Sequence, residues 1–353
     1  MKKTILPFIC LVSLLLLVSC ESLSFYSQAI RGQLSILSRR ENIQKLIDDP
    51  ATDAALRKQL TSILEIRAFA ETQLALPVEK NYASYVDLQR PFVVWNVFAA
   101  PEFSMTPRSW CYPVAGCVTY RGYFSEDKAL DYAATLRRSG LDVYVGGVAA
   151  YSTLGWFADP VLNTIINRDE HRLAALIFHE LAHQRVYIPG DTIFNESFAT
   201  AVELEGLKRW LEQAGSDDAA DILFDQANRE QRYRREFVTL VQGVIPPLET
   251  LYSSHLSPEA MRAEKAALFE KLRQDYRQLK QGWQGYSAYD GWFEGDINNA
   301  KLNTVATYFN KVPAFEALLA ETAFQLPDFY DRVDALARLG GEEREQALAR
   351  LTP

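Results

Sequence analysis

The segment Leu173-Ala174-Ala175-Leu176-Ile177-Phe178-His179-Glu180-Leu181-Ala182-His183, followed after a short loop by Phe194-Asn195-Glu196-Ser197-Phe198-Ala199-Thr200-Ala201-Val202-Glu203, governs the reading of the chain. Its first half is His-Glu-x-x-His on an apolar helix. Four residues advance a helix by about 400°, so His179 and His183 stand one turn apart on one face, where two imidazoles can bind one metal ion. Glu180 is set off from that face, yet close enough to orient and deprotonate a water at the metal, which is the position of a general base. The chain has only 4 His, which makes the pattern specific. Two unrelated histidines on an ordinary helix are the alternative.

The third ligand decides the subclass. A metzincin would need glycine at position 186 and histidine at position 189, and the chain has Val186 and Pro189. His171 and His255 lack a useful spacing, whereas Glu196 opens a second helical segment just after Pro189-Gly190. Two His, one Glu and a water make a catalytic rather than a structural zinc site. Asn195-Glu196-Ser197-Phe198-Ala199 resembles the Asn-Glu-x-x-Ala signature of gluzincins, the thermolysin-like and aminopeptidase-like zinc enzymes. The resemblance implies that Glu196 is the third ligand of a single Zn²⁺. Glu203 lies seven residues further on, almost two turns, and either hydrogen-bonds a ligand imidazole or is a solvated surface carboxylate. Leu173, Leu176, Ile177 and Leu181, with Phe194, Phe198 and Val202, read as core packing between the two helices.

At the start of the chain, Lys2 and Lys3 precede an apolar run from Ile5 to Val18 that ends at Leu17-Val18-Ser19-Cys20. A basic n-region, a short h-region and small residues before a cysteine make an export signal, here residues 1–19. Leu-Val-Ser-Cys resembles a bacterial lipobox, which implies lipidation of Cys20 and anchoring in the cell envelope by lipid alone; a plain signal peptide is the alternative. Cys111 and Cys117 then remain, and in an oxidising exported compartment they read as a disulfide closing a small loop, with a pair of free thiols as the alternative.

A hydrophobic content of 48% with 12% aromatics belongs to a folded globular chain. A net charge of -8 with no basic stripe excludes nucleic acid as a partner. The mature chain, 20–353, divides by texture. In the N-terminal region, 20–89, residues 26 to about 76 carry helical periodicity with a break at Asp48-Asp49-Pro50, a helical hairpin. Within 90–206, runs at 92–98, 117–120 and 143–151 are β-branched and aromatic, with a helix around 126–139 between the last two, so a small sheet precedes the metal helix. From 207 to 353 the pattern is helical again, in segments at 207–214, 217–244, 258–281 and 299–310, with a polar and aromatic loop at 291–300. No Gly-rich phosphate loop and no Gly-x-Ser-x-Gly elbow supports another chemistry.

The order as a whole resembles a family of bacterial proteins described as predicted zinc aminopeptidases. The resemblance rests on residues 111–117, 146–159, 179–183, 195–199 and 298–302. It implies an α+β, mostly α-helical, zincin-like metallopeptidase with a small sheet before the His-Glu-x-x-His helix and a helical C-terminal half. In gluzincins the strand before that helix is an edge strand that pairs with the substrate backbone, a place that 143–151 occupies here. Gly146 and Gly147 would serve either close approach of another backbone or a bulge. Gluzincins also use a Tyr or His to stabilise the oxyanion, and Tyr308 and His255 are both open to that role. Gly146-Gly147-Val148-Ala149-Ala150 lacks the Glu with which zinc aminopeptidases hold a free amine. That departure supports peptide hydrolysis better than cleavage from the N-terminus. The resemblance implies zinc-dependent peptide hydrolysis by a lipid-anchored aminopeptidase, with an endopeptidase or amidase using the same site, or a non-catalytic metal-binding lipoprotein, as alternatives.

Overall fold

The computed structural model describes residues 25–112, 116–150, 157–213, 218–309 and 311–351, apart from the side chains of 218–221, 224 and 306–309. The signal at 1–19, Cys20, the tip of the 111–117 loop and residues 151–156 lie outside the described residues.

The N-terminal region begins with α1 (25–38), β1 (Glu41–Asn42), α2 (Ile43–Asp48) and α3 (Ala54–Leu74). The break at Asp48-Asp49-Pro50 is present, but a second one at 39–42 makes three helices of the expected hairpin. Its cause is local. Asn42 caps α2 through Lys45 N at 3.0 Å, and β1 pairs antiparallel with β2 (Ser84–Val86), which withdraws those residues from the helix. Asp53 caps α3 in the same manner, accepting from Ala55 N and Leu56 N.

The middle of the chain supplies β3 (Val94–Pro101), β4 (Trp110–Tyr112), β5 (Gly116–Val118), β6 (Arg121–Tyr123), α4 (Glu126–Arg138), β7 (Leu141–Val148) and β8 (Val161–Leu162). One sheet has the order β1-β2-β8 and another β6-β3-β7, while β4 and β5 form a hairpin closed by the Cys111–Cys117 disulfide. In the second sheet, Trp95, Val97, Ala99, Val143 and Val145 bury one face against Ala129, Ala133 and Leu136 of α4. Alternation turns Phe98 and Tyr144 to the other face, where their rings lie 6.1 Å apart. The register of β3 with β7 is continuous from Val94↔Val148 to Pro101↔Leu141, so Gly146 and Gly147 form no bulge. Nor, among the described residues, is another backbone the nearest neighbour of either glycine. A Cβ at Gly147 would meet the Phe92 ring at 2.3 Å, and one at Gly146 the Tyr144 ring at 3.1 Å.

After α5 (Asn163–Ile166) come α6 (Glu170–Arg185) and α7 (Thr192–Gln213), then α8 (Asp218–Gly243), α9 (Ile245–Tyr252), α10 (Pro258–Lys280), α11 (Asp290–Phe293), α12 (Asn299–Phe309), α13 (Val312–Glu321), α14 (Leu326–Ala337) and α15 (Gly341–Leu351). The main core joins Ile63 and Phe69 of α3 to Phe178 of α6, Phe198 of α7, Phe315 of α13 and Phe329 of α14. Leu173, Ile177, Leu181, Phe194 and Val202 are buried with them; Leu176 is only half-buried. A second core gathers Phe237, Val241, Phe269, Leu272, Trp283 and Leu302 between α8, α10 and α12. The separate helix expected at 207–214 is instead the end of α7, which runs through Gly206 unbroken. Glycine costs helix stability there, but a Cβ would stand 2.8 Å from both Leu74 Cδ1 and Phe178 Cδ2. Its absence lets α7 lie directly against α3 and α6. Among the described residues no helix is long and apolar enough to cross a membrane.

Candidate metal centre

Two neighbouring helices and the loop between them position the site. Asn195 is buried, and its side-chain amide clasps Ile188 from both sides, accepting from Ile188 N at 2.8 Å and donating to Ile188 O at 2.9 Å. Asp191 accepts from Phe194 N at 3.1 Å and pairs with Arg344 of α15. Ser197 Oγ accepts from Lys311 N at the start of α13. The residues flanking Glu196 thus fix the α6–α7 loop and the seating of α7. Glu196 is left as the member of that group turned toward the histidines.

His179, His183 and Glu196 each offer a ligand atom, all within 4.8 Å of one another. Glu196 Oε2 lies 3.3 Å from His179 Nε2 and 3.6 Å from His183 Nε2. Zinc bonds of 2.0–2.2 Å at tetrahedral angles would separate donors by about 3.4 Å, so the spacing and the N₂O donor set fit a divalent cation. The two rings stand nearly perpendicular, at 84°. His179 Nδ1 is 3.0 Å from Glu203 Oε2, and Glu203 Oε1 in turn accepts from an Arg234 guanidinium nitrogen at 2.8 Å. A proton held on Nδ1 by Glu203 leaves the Nε2 lone pair free for a metal. Glu203 is buried, not a solvated carboxylate. His183 Nδ1 is also buried and has no partner among the described residues.

The electrostatics favour positive charge at the centre. Burial pulls the His179 imidazole down, but the Glu196 and Glu203 carboxylates outweigh it and push its pKa up to about 10. Burial alone would raise Glu203, yet Arg234 and then His179 bring it down to about 2. Glu196 is likewise held well below the usual carboxylate range, burial being overcome by His183 and His179. Glu180 differs in sign. Desolvation raises it, against the lowering influence of the two histidines, so it is the carboxylate of the group with the greatest proton affinity. A divalent cation answers the same demand for positive charge that protonated imidazoles answer.

Several neighbours escaped sequence reasoning. Asn81 joins the site's surroundings by donating to Gln184 Oε1 and accepting from Asp159 N, while Tyr82 N donates to Asp159 O. The buried Tyr82 hydroxyl is kept protonated by desolvation first and then by the charges of Glu180 and Asp159. Tyr120 is held protonated by burial and by Glu196, and Tyr187 by the same two causes. Arg234, in α8, carried no local signal because its partner lies 31 residues earlier. His255 is exposed in the loop after α9, apart from the ligand cluster, and the Tyr308 side chain lies outside the described residues.

No curated protein and no solved structure matches the chain. A family model described as Putative aminopeptidase matches residues 24–348, a span that includes both helices of the candidate centre, the strands and most of the helical C-terminal half. Matched over nearly its whole length, the chain belongs to the Putative aminopeptidase family of peptidases.

Proposed function

We propose that this protein is a zinc-dependent peptidase of zincin-like fold, exported and held in the bacterial envelope through a lipid on Cys20. The observation that carries the catalytic part is the convergence of His179 Nε2, His183 Nε2 and Glu196 Oε2 with Glu180 beside them. His179, His183 and Glu196 would hold the ion. Bound there, zinc supplies the charge that acidifies a water and polarises the scissile carbonyl. Glu180 accepts the water's proton and returns it to the leaving amine, a task suited to a carboxylate raised by desolvation. Glu203, backed by Arg234, keeps the His179 ring in the ligating tautomer. Glu203→Gln therefore lowers zinc affinity or turnover by roughly 10–100-fold, measured by competition with a chelating dye. Unchanged affinity and turnover would count against that orienting role.

Strand β7 supports an extended peptide as substrate, since it is an edge strand of its sheet. Tyr144, Gly146 and Val148, on the face of β7 turned from α4, carry no carboxylate to grip a free amine. That observation keeps an endopeptidase or amidase as the second reading. The deciding experiment compares free with N-acetylated peptides on protein whose zinc is verified by elemental analysis, with and without chelator. Chelator-sensitive cleavage confined to free amino termini is the expected result. Cleavage indifferent to acetylation removes the aminopeptidase reading, and cleavage indifferent to chelator removes zinc.

A further inference from the structure

A cleft of about 680 Å³ runs beside β7, walled by Leu141 to Val145 on one side and by residues of α10 and the start of α12 on the other. None of the metal-centre residues lines it, yet β7 joins the two places. Ala149 and Ala150, just past the strand, pack against the core that contains Phe178 and Leu181. A row of rings makes the same connection. Tyr120, in the field of Glu196 and Glu180, lies 5.8 Å from Phe98, which lies 6.1 Å from Tyr144. The Lys301 ammonium stands 5.3 Å from the Tyr144 ring.

The outer edge of β7 is open over part of its length only. Val143 O accepts from Asn298 Nδ2 at 3.2 Å and, at 3.5 Å, from Arg137. It therefore faces away from β3. A period of two turns the backbone groups of Val145 and Gly147 the same way, and among the described residues nothing bonds to them. The open stretch thus ends where Arg137 and Asn298 occupy the Val143 carbonyl.

Two cations stand at that end without a carboxylate partner among the described residues. Lys301 is 4% exposed; its Nζ donates to Glu294 O at 3.0 Å and lies over the Tyr144 and Trp292 rings. Arg137 is exposed and reaches only the Val143 carbonyl. The other cations of the cleft are matched, Arg262 by Glu102 and Lys265 by Asp142, while Glu294 and Asp296 are exposed to solvent. Burial and then the nearby Arg273 charge lower the Lys301 pKa, and the Asp296 and Glu294 carboxylates offset this only in part.

We propose that Lys301 and Arg137 receive the C-terminal carboxylate of a short peptide lying antiparallel on β7. The inference rests on the peptidase reading and adds the substrate class. A peptide antiparallel to β7 points its amino end past Val148 toward the metal helices and its carboxyl end toward Val143. At about 3.4 Å per residue, the stretch from Gly147 to Val143 accommodates only about four residues before Asn298 and Arg137 stop the pairing. A carboxylate arriving there meets two donors of opposite charge.

The test uses alanine peptides of about four to seven residues, so that the longer ones extend past Val148, each as the free acid, as its C-terminal amide, and as an amide of the same length ending in Glu. Each is titrated calorimetrically into the zinc-loaded Glu180→Gln protein and offered to the wild type for hydrolysis. The free acid is expected to bind at least roughly tenfold more tightly than its amide. Lys301→Met and Arg137→Gln should each remove most of that difference, and Lys301→Arg should retain it. Arg137 is exposed, so its variant decides the matter even if Lys301→Met fails to fold. Equal binding of acid and amide, or no binding of either, overturns the anchor. Binding of the Glu-ending amide as tight as that of the free acid overturns the terminal carboxylate as the ligand. A persistent preference for the acid with no turnover of any peptide by wild type leaves the anchor standing and sinks peptide hydrolysis instead.

Discussion

Glu180→Gln protein is expected to retain its zinc and to lose peptide turnover by roughly a thousandfold, within the range general acid–base catalysis contributes. The substitution is nearly isosteric and Glu180 is not among the clustered ligand atoms, so the three donors keep their positions. What disappears is a proton acceptor. Among the carboxylates of the site, Glu196 and Glu203 are committed to histidines and Arg234 and are held acidic, while desolvation makes Glu180 the more basic one. An amide at that position can neither take the water's proton nor deliver it to the departing amine. Zinc content by elemental analysis and kcat on a short peptide read the two halves of the statement separately. Turnover within a few fold of wild type, with zinc present, would sink the base assignment.

The second large effect concerns the ion itself. His183→Ala removes one of three donors and with it both zinc and turnover, where Glu180→Gln removes turnover alone. Wild-type protein in free zinc at a hundred times its Kd gains about 2.7 kcal/mol of stability from the bound ion, which should appear as a melting temperature a few degrees above that of the chelated protein. The His183→Ala melt should not respond to zinc. Should this variant hold a full equivalent of zinc, with a zinc-dependent melt, the ligand set described above is wrong.

The two helices of the candidate centre were legible because their information is local. His179 and His183 are fixed by one turn of helix, and Glu196 by its place within Asn195-Glu196-Ser197-Phe198-Ala199. Sequence gave no means to choose between two roles for Glu203, because the choice depends on Arg234 in another helix and on burial that only packing creates. The same holds for Tyr82, Asp159 and Tyr120, which reach the site from separate elements. Helical periodicity found α4, α8 and α10 within a residue or so, since their faces are solvated on one side. It missed the break at 39–42, where pairing with a strand more than forty residues away overrides a helical pattern. It also split α7 at Gly206, reading as punctuation a glycine that is required by close contact.

That glycine would tie the proposed metal affinity to a contact remote from the candidate ligands. Gly206 and Glu196 belong to one unbroken rod, ten residues or about 15 Å apart. A methyl group wedged against Leu74 and Phe178 would have to tilt the rod or push its neighbours aside, and any tilt is carried along it to the third donor. Graded bulk at this position, from Ala to Val, would act as a screw that detunes the ion's grip without touching a single coordinating atom.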